Sequence, residues 1–299
     1  MVEDELITEA GSDPHAGYES RATSELVALM NAEDSSVPEA VLAATASISE
    51  TIDAIAERMR AGGRLVYVGA GSSGLIAALD ASECEGTFST PPGLVVALVA
   101  GDADAAPTAR AAAEDDRDAG ARDVGALDIR AEDAVVGISA SGSTPYVAGA
   151  LETAAAAGAL TACVVCAPGS VLGGLADHEI VVVVGPEFIA GSTRLKAGTA
   201  QKLVLNAIST ITMIRLGKTY GNLMVHVAAA NEKLVERVRR IVAAATGATR
   251  EEIDEALTAA NGDARVAIVC LVAGVDADTA RARLEVSGRS IGEALEEKA

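Results

Sequence analysis

The stretch that decides the fold is Gly62–Phe88, GGRLVYVGAGSSGLIAALDASECEGTF. An apolar β-run, Leu65 to Val68, feeds a Gly/Ser loop, Gly69 to Gly74, and the loop feeds an apolar helical pattern that reaches a carboxylate, Glu83. A strand that ends in a glycine-rich turn at a helix start leaves backbone N–H groups without internal acceptors, so the segment predicts an anion site with an acid or base beside it. The same order of elements recurs downstream. Leu94 to Ala100 and Ala134 to Ser139 read as further strands, the first as one buried on both faces. Helices are predicted over about Ala105 to Ala121 and Pro145 to Ala157, then strands at Leu160 to Cys166 and Glu179 to Val184. Strands alternating with helices imply parallel crossover units, hence an α/β doubly wound sheet with its site at the carboxyl ends of strands.

Outward from this centre, residues 1–37 are polar and broken by Gly11, Pro14 and Gly17, which predicts an arm laid over a surface or a partner subunit. Val41, Ile48, Ile52, Ile55 and Met59 recur at helical spacing and predict one amphipathic helix over Pro38 to Ala61. A long helix, apolar on nearly every side, follows from Thr193 to Leu216; beyond Asn231, four short helical patterns separated by glycines predict a small bundle. The expected domains are the arm, an α/β domain over 38–228 and a helical domain over 229–299.

Composition narrows the function. The chain has 299 residues, half of them hydrophobic, and a formal net charge of −20. Such a surface repels phosphodiester backbones and argues against nucleic acid as a partner. Arginine supplies most of the positive charge, and an acidic, lysine-poor surface suits a high-salt cytosol. The acidic start MVEDELITEAGSD lacks the character of a signal peptide, and no apolar run reaches the roughly 18 residues of a membrane span, so a cytoplasmic protein with no membrane partner is expected. Cys163 and Cys166 form a CxxC, but inside an apolar strand pattern with no second ligand pair, so they read as core. The three histidines are too dispersed for a metal site, and no metal is expected.

Two loops carry the chemistry, GAGSSG at 69–74 and SASGST at 139–144, each between a strand and a helix. Small residues admit an anion close to the backbone, and hydroxyls add donors without charge. A nucleotide reading is disfavoured: there is no Walker lysine, and Asp80 falls inside the following helix rather than about 20 positions on, where a ribose needs it.

The segments GAGSSG, LDASEC, PPGLVVALVAG, SASGSTPYV, GSTRLKAGTAQKLVLN, RLGKTYGNLMV and NEKLVERVRRIV together resemble the N-acetylmuramic acid 6-phosphate etherases of the sugar-isomerase (SIS) superfamily. The resemblance runs from Thr23 through the C-terminal bundle, which is similar to the family's ubiquitin-associated-like domain. It implies a cofactor-free lyase that releases D-lactate from a sugar phosphate, with Glu83 and Glu114 matching the family's catalytic glutamates. It further implies a phosphate cradle of Ser139, Ser141, Ser143 and Thr144, sugar contacts from Ser72 and Ser73, and a homodimer. Leu75 and Ser143 stand where the family usually has arginine, and His226 where it commonly has aspartate, which leaves the exact sugar phosphate open. Arg194 and Lys196 are alternative sources of positive charge. Two rival readings remain: a sugar-phosphate-binding regulator resembling glucokinase regulatory protein, and an aldose–ketose isomerase.

Overall fold

A computed structural model describes residues 17–101, 112–226, 232–288 and 290–296. Contacts divide the chain into two compact units, one of Met1–Ser82 with Gly93–Ser209, the other of Glu83–Pro92 with Thr210–Ala299.

The first unit is built on a parallel sheet of β1 (Leu65–Gly69), β2 (Val95–Val99), β3 (Ala134–Ser139), β4 (Leu160–Val165) and β5 (His178–Val181) in the order β2-β1-β3-β4-β5. Strand order reverses between β1 and β3, and in open α/β sheets the crevice outside such a switch point is where ligands bind. Register places Gly69 opposite Ile138, so the two Gly/Ser loops leave the sheet side by side. β1, β3 and β4 are buried along their whole length, as near-continuous apolar runs require. β2 was expected to be buried on both faces; it is the sheet edge and only half-buried throughout.

The helices of this unit differ from the expectation in instructive ways. Residues 17–37 are more than an arm, since α1 (Thr23–Asp34) lies within them, and Tyr18 stacks on Phe188 with ring centroids 4.7 Å apart. The single helix expected over 38–61 is two, α2 (Val37–Ala43) and α3 (Thr45–Arg60), parted at Ala44, and α3 buries Ile48, Ile52, Ile55 and Met59. α4 (Gly71–Phe88) starts inside the predicted loop. The helix expected over 105–121 is interrupted: Asp116 caps α5 (Arg117–Gly125) by accepting from Ala119 N at 2.8 Å, because a short carboxylate competes better for a helix start than for its interior. Residues 105–111 of that expectation, like 1–16 of the arm, lie outside the described residues. α6 (Pro145–Ala156) follows β3, and α7 (Lys196–Arg215) opens where Glu187, fully buried, accepts from Lys196 N and Ala197 N at 2.8 and 3.0 Å.

At the opposite end of the sheet from the loops, buried Asp133 ties strand starts together. It accepts from Arg64 N at 2.8 Å, Arg64 Nη2 at 2.7 Å and Arg130 N at 3.0 Å, while its carbonyl accepts from Leu160 N at 3.0 Å. Burial alone would raise its pKa, but the Arg64 side chain and two backbone N–H groups outweigh burial and hold it below the usual 3.8.

The second unit contains a two-stranded antiparallel hairpin, β6 (Thr219–Tyr220) with β7 (Leu223–Met224), and the helices α8 (Glu232–Thr246), α9 (Arg250–Ala259), α10 (Ala264–Ala273), α11 (Ala277–Val286) and α12 (Ile291–Glu296). Val238, Val242, Ile253, Ile268, Leu284 and Ile291 meet in one core, so the predicted bundle forms. His226 is held between Lys218 O, 3.1 Å from Nδ1, and Arg265 NH1, 2.9 Å from Nε2. A carbonyl only accepts and a guanidinium only donates, so the ring is neutral with its proton on Nδ1. Burial first, then the charges of Arg265 and Lys218, lower its pKa to about 4.

These two groups give separate acid windows. His226 takes up a proton in the unfolded chain near pH 6.5 but in the folded protein only near 4, so stability should decline as pH falls through that interval, and His226→Asn should flatten the decline in thermal melts. Asp133 acts lower: its contribution is intact above about pH 4 and is lost on further acidification. Asp133→Ala should cost about 3 kcal/mol in urea unfolding at pH 7, because Arg64 loses its buried partner.

Candidate active site

The site is built from the carboxyl ends of β1 and β3. At β1 the chain turns directly into α4, and the turn is as tight as its glycines permit. A Cβ on Gly74 would sit 2.6 Å from Gly69 O, and one on Gly69 would sit 2.8 Å from Gly74 N. Glycine at both positions brings the helix start against the strand end, with Ser72 and Ser73 in the first helical turn rather than in a free loop. Ser72 is exposed; Ser73 is half-buried and donates to Gln201 Oε1 of α7 at 2.9 Å.

At β3 the four predicted hydroxyls do come together. Ser139 Oγ lies 2.7 Å from Thr144 Oγ1 and 3.3 Å from Ser141 Oγ, and Ser141 Oγ lies 3.0 Å from Ser143 Oγ. Gly142 N donates to Ser139 Oγ at 3.0 Å and closes the loop. Gly142 has φ +71° and faces Ser170, whose Cβ an added methyl would meet at 2.3 Å. Ser139 and Thr144 are buried, Ser141 is half-buried and Ser143 is exposed, so the cluster runs from the interior to the surface.

The two glutamates are placed differently. Glu114 ends a helical stretch, is exposed, and has its pKa raised, first by the protein crowded around its carboxyl and then by Asp115. Glu83 is exposed on α4 and is the first residue of the second unit. Leu75 and Leu79, one helical turn apart on α4, are 40% and 55% exposed, so position 75 presents an apolar side chain to the surface. Lys196 offers no free charge in its place: it is buried, and Nζ pairs with Glu33 at 2.8 Å. Arg194 is exposed.

Asp80 is structural. It accepts from Tyr67 OH at 3.1 Å, Asn206 Nδ2 at 2.6 Å and Ser209 Oγ at 3.1 Å, joining β1, α4 and α7. Cys163 and Cys166 are buried, and burial first, with Glu179 and Glu187 second, pushes both thiols up to about 12, the reverse of the thiolate that metal binding or redox chemistry requires. No local pattern in the sequence marks Gln201, whose partner Ser73 lies far off in the chain. The β6–β7 hairpin does have a local signal, the Gly221-Asn222 dipeptide between the strand pairs Thr219–Tyr220 and Leu223–Met224.

The chain is 56% identical over 280 residues, 94% of its length, to the N-acetylmuramic acid 6-phosphate etherase of Rubrobacter xylanophilus, of which the match covers 93%. The chain belongs to the N-acetylmuramic acid 6-phosphate etherase family. The etherase of Streptomyces avermitilis is 54% identical over 97% of the chain and 93% of its own length, and that of Caldanaerobacter subterraneus is 47% identical over 100% and 97%. Residues 116–211 match the SIS domain family, and residues 47–155 match the glucokinase regulatory protein N-terminal SIS domain. A phosphoheptose isomerase from Francisella tularensis shares the fold over 64% of this chain and all of its own, at 20% identity and a TM-score of 0.50. The likeness to regulator and isomerase is therefore one of domain and fold, whereas the likeness to etherases spans nearly the whole chain.

Gly142→Ala should lower the melting temperature by several degrees. The variant combines an unfavourable left-handed backbone, about 1–2 kcal/mol, with a clash that displaces the hydroxyl loop.

Proposed function

We propose that the chain cleaves the lactyl ether of N-acetylmuramic acid 6-phosphate to N-acetylglucosamine 6-phosphate and D-lactate. The observation that carries the reading is the near full-length identity to etherases, about half of all positions. The hydroxyl cluster at the sheet's switch point is the local feature that fits it.

The reaction balances as an elimination followed by a hydration. The sugar ring opens to the aldehyde, which acidifies the proton on carbon 2. A base removes that proton, the electron pair forms the bond between carbons 2 and 3, and the carbon 3–oxygen bond breaks. Lactate leaves with a proton from an acid. Water then adds, its hydroxyl to carbon 3 and a proton to carbon 2. Glu83 and Glu114 are the proton-transfer residues of this reading, and the raised pKa of Glu114 suits a carboxyl that donates. Ser139, Ser141, Ser143 and Thr144 hold the phosphate, while Ser72 and Ser73 line the sugar.

The reading extends to the setting. The arm, residues 38–228 and residues 229–299 act as the functional divisions, in a cytoplasmic homodimer. Among the described residues no single helix is long and apolar enough to cross a membrane. The net charge of −20 fits a salt-rich cytosol.

Incubation with N-acetylmuramic acid 6-phosphate at low and at molar salt should release D-lactate. Glu83→Gln should slow release by about 10² or more, and Glu114→Gln should slow it measurably. Absence of lactate at both salts would remove the etherase reading, and unchanged release by Glu83→Gln would remove that residue from the mechanism.

A further inference from the structure

We propose that Gln201 is a positioning residue that fixes Ser73 as a hydrogen-bond acceptor, so that the first turn of α4 reads a hydroxyl or N–H donor on the sugar rather than an anionic group. The inference rests on the etherase reading for the identity of the sugar and on the structure for the polarity.

Gln201 is 1% exposed, deep on α7, and its Oε1 accepts the Ser73 hydroxyl at 2.9 Å. Its other end is unused: Nε2 is buried and has no hydrogen-bond partner among the described residues. An interior carboxamide left half satisfied costs free energy that a leucine or methionine of similar volume avoids. Packing therefore does not explain a glutamine here. The contact that its polarity does make is with Ser73.

That contact decides what Ser73 presents outward. A serine has one hydroxyl proton and two lone pairs, and donating the proton to Gln201 leaves only lone pairs for a ligand. Lone pairs repel phosphate and carboxylate oxygens and accept from a sugar hydroxyl or an acetamido N–H. The cluster of Ser139, Ser141, Ser143 and Thr144 differs, because its hydroxyls bond chiefly to one another and can turn their protons towards an anion. Register places Gly69, two residues before α4 begins, opposite Ile138, one residue before Ser139, so the two subsites neighbour each other. One takes the phosphate and the other a neutral donor, which fixes the orientation of a sugar phosphate between them.

The test compares wild type with Gln201→Leu, Gln201→Glu, Ser73→Ala and the double variant Gln201→Leu/Ser73→Ala. Measured are KM and kcat for N-acetylmuramic acid 6-phosphate, the calorimetric Kd of N-acetylglucosamine 6-phosphate, the Kd of inorganic phosphate, and the melting temperature. Gln201→Leu should raise KM and the sugar-phosphate Kd about tenfold, change kcat less than threefold and leave the phosphate Kd unchanged. Ser73→Ala should match it, and the double variant should lose no more than either, because both act through one contact. Gln201→Glu, which retains an acceptor oxygen, should recover most of the affinity. Wild-type KM in Gln201→Leu, additive losses in the double variant, or a Gln201→Glu variant as weak as Gln201→Leu would each overturn the proposal. So would a loss of phosphate affinity together with a lowered melting temperature, the mark of a merely structural role. A wild type that binds the sugar phosphate but releases no lactate would sink the etherase reading alone, since the Kd comparison still decides for Gln201.

Discussion

One buried carboxylate holds the site-bearing elements in place. Asp80, 7% exposed, gathers Tyr67 from β1 and Asn206 and Ser209 from α7 around the middle of α4. Burying a carboxylate is costly unless its lone pairs are filled, and here three side chains fill them. The arrangement fixes the rotation of α4 about its own axis, and that rotation decides which side chains of its first turn face α7. Ser73 reaches Gln201 five residues before Asn206 on the same helix, so the structural node and the polar contact near the site share a single pair of helices.

Around that node the sheet needs only close approach and order. Glycines at 69 and 74 seat the helix against the strand, and strand order reverses between β1 and β3, the kind of switch point outside which open α/β sheets bind ligands. At the far end Asp133 secures the strand starts, so the end that carries the hydroxyl-bearing segments belongs to a sheet clamped at the other.

Much of this was legible in the sequence. Central strands appeared as apolar runs because burial on both faces removes the alternation that would blur them, and SASGST announced its hydroxyls by composition. What failed had local competition or distant partners behind it. The edge strand β2 has the same apolar run as a central one, so sequence alone assigns it more burial than it has. Asp116 reads as a helix interior until its side chain is seen to cap the next helix. The roles of Asp80, Asp133 and Gln201 depend on partners 69 to 129 positions away for Asp133 with Arg64, Gln201 with Ser73 and Asp80 with Asn206 and Ser209, separations to which no local pattern is sensitive.

The start of α7 carries a further meaning. GSTRLKAGT places hydroxyls, two cations and a helix N-terminus in one short segment, the composition of an anion trap. In the folded chain Glu187 already sits on the first amides of that helix and Glu33 on the ammonium of Lys196. The protein brings its own counter-ions to the first amides and to Lys196, and leaves Arg194 as the exposed cation of the segment. Phosphate, sulfate and citrate in the surrounding solution find those amides and that ammonium already neutralised.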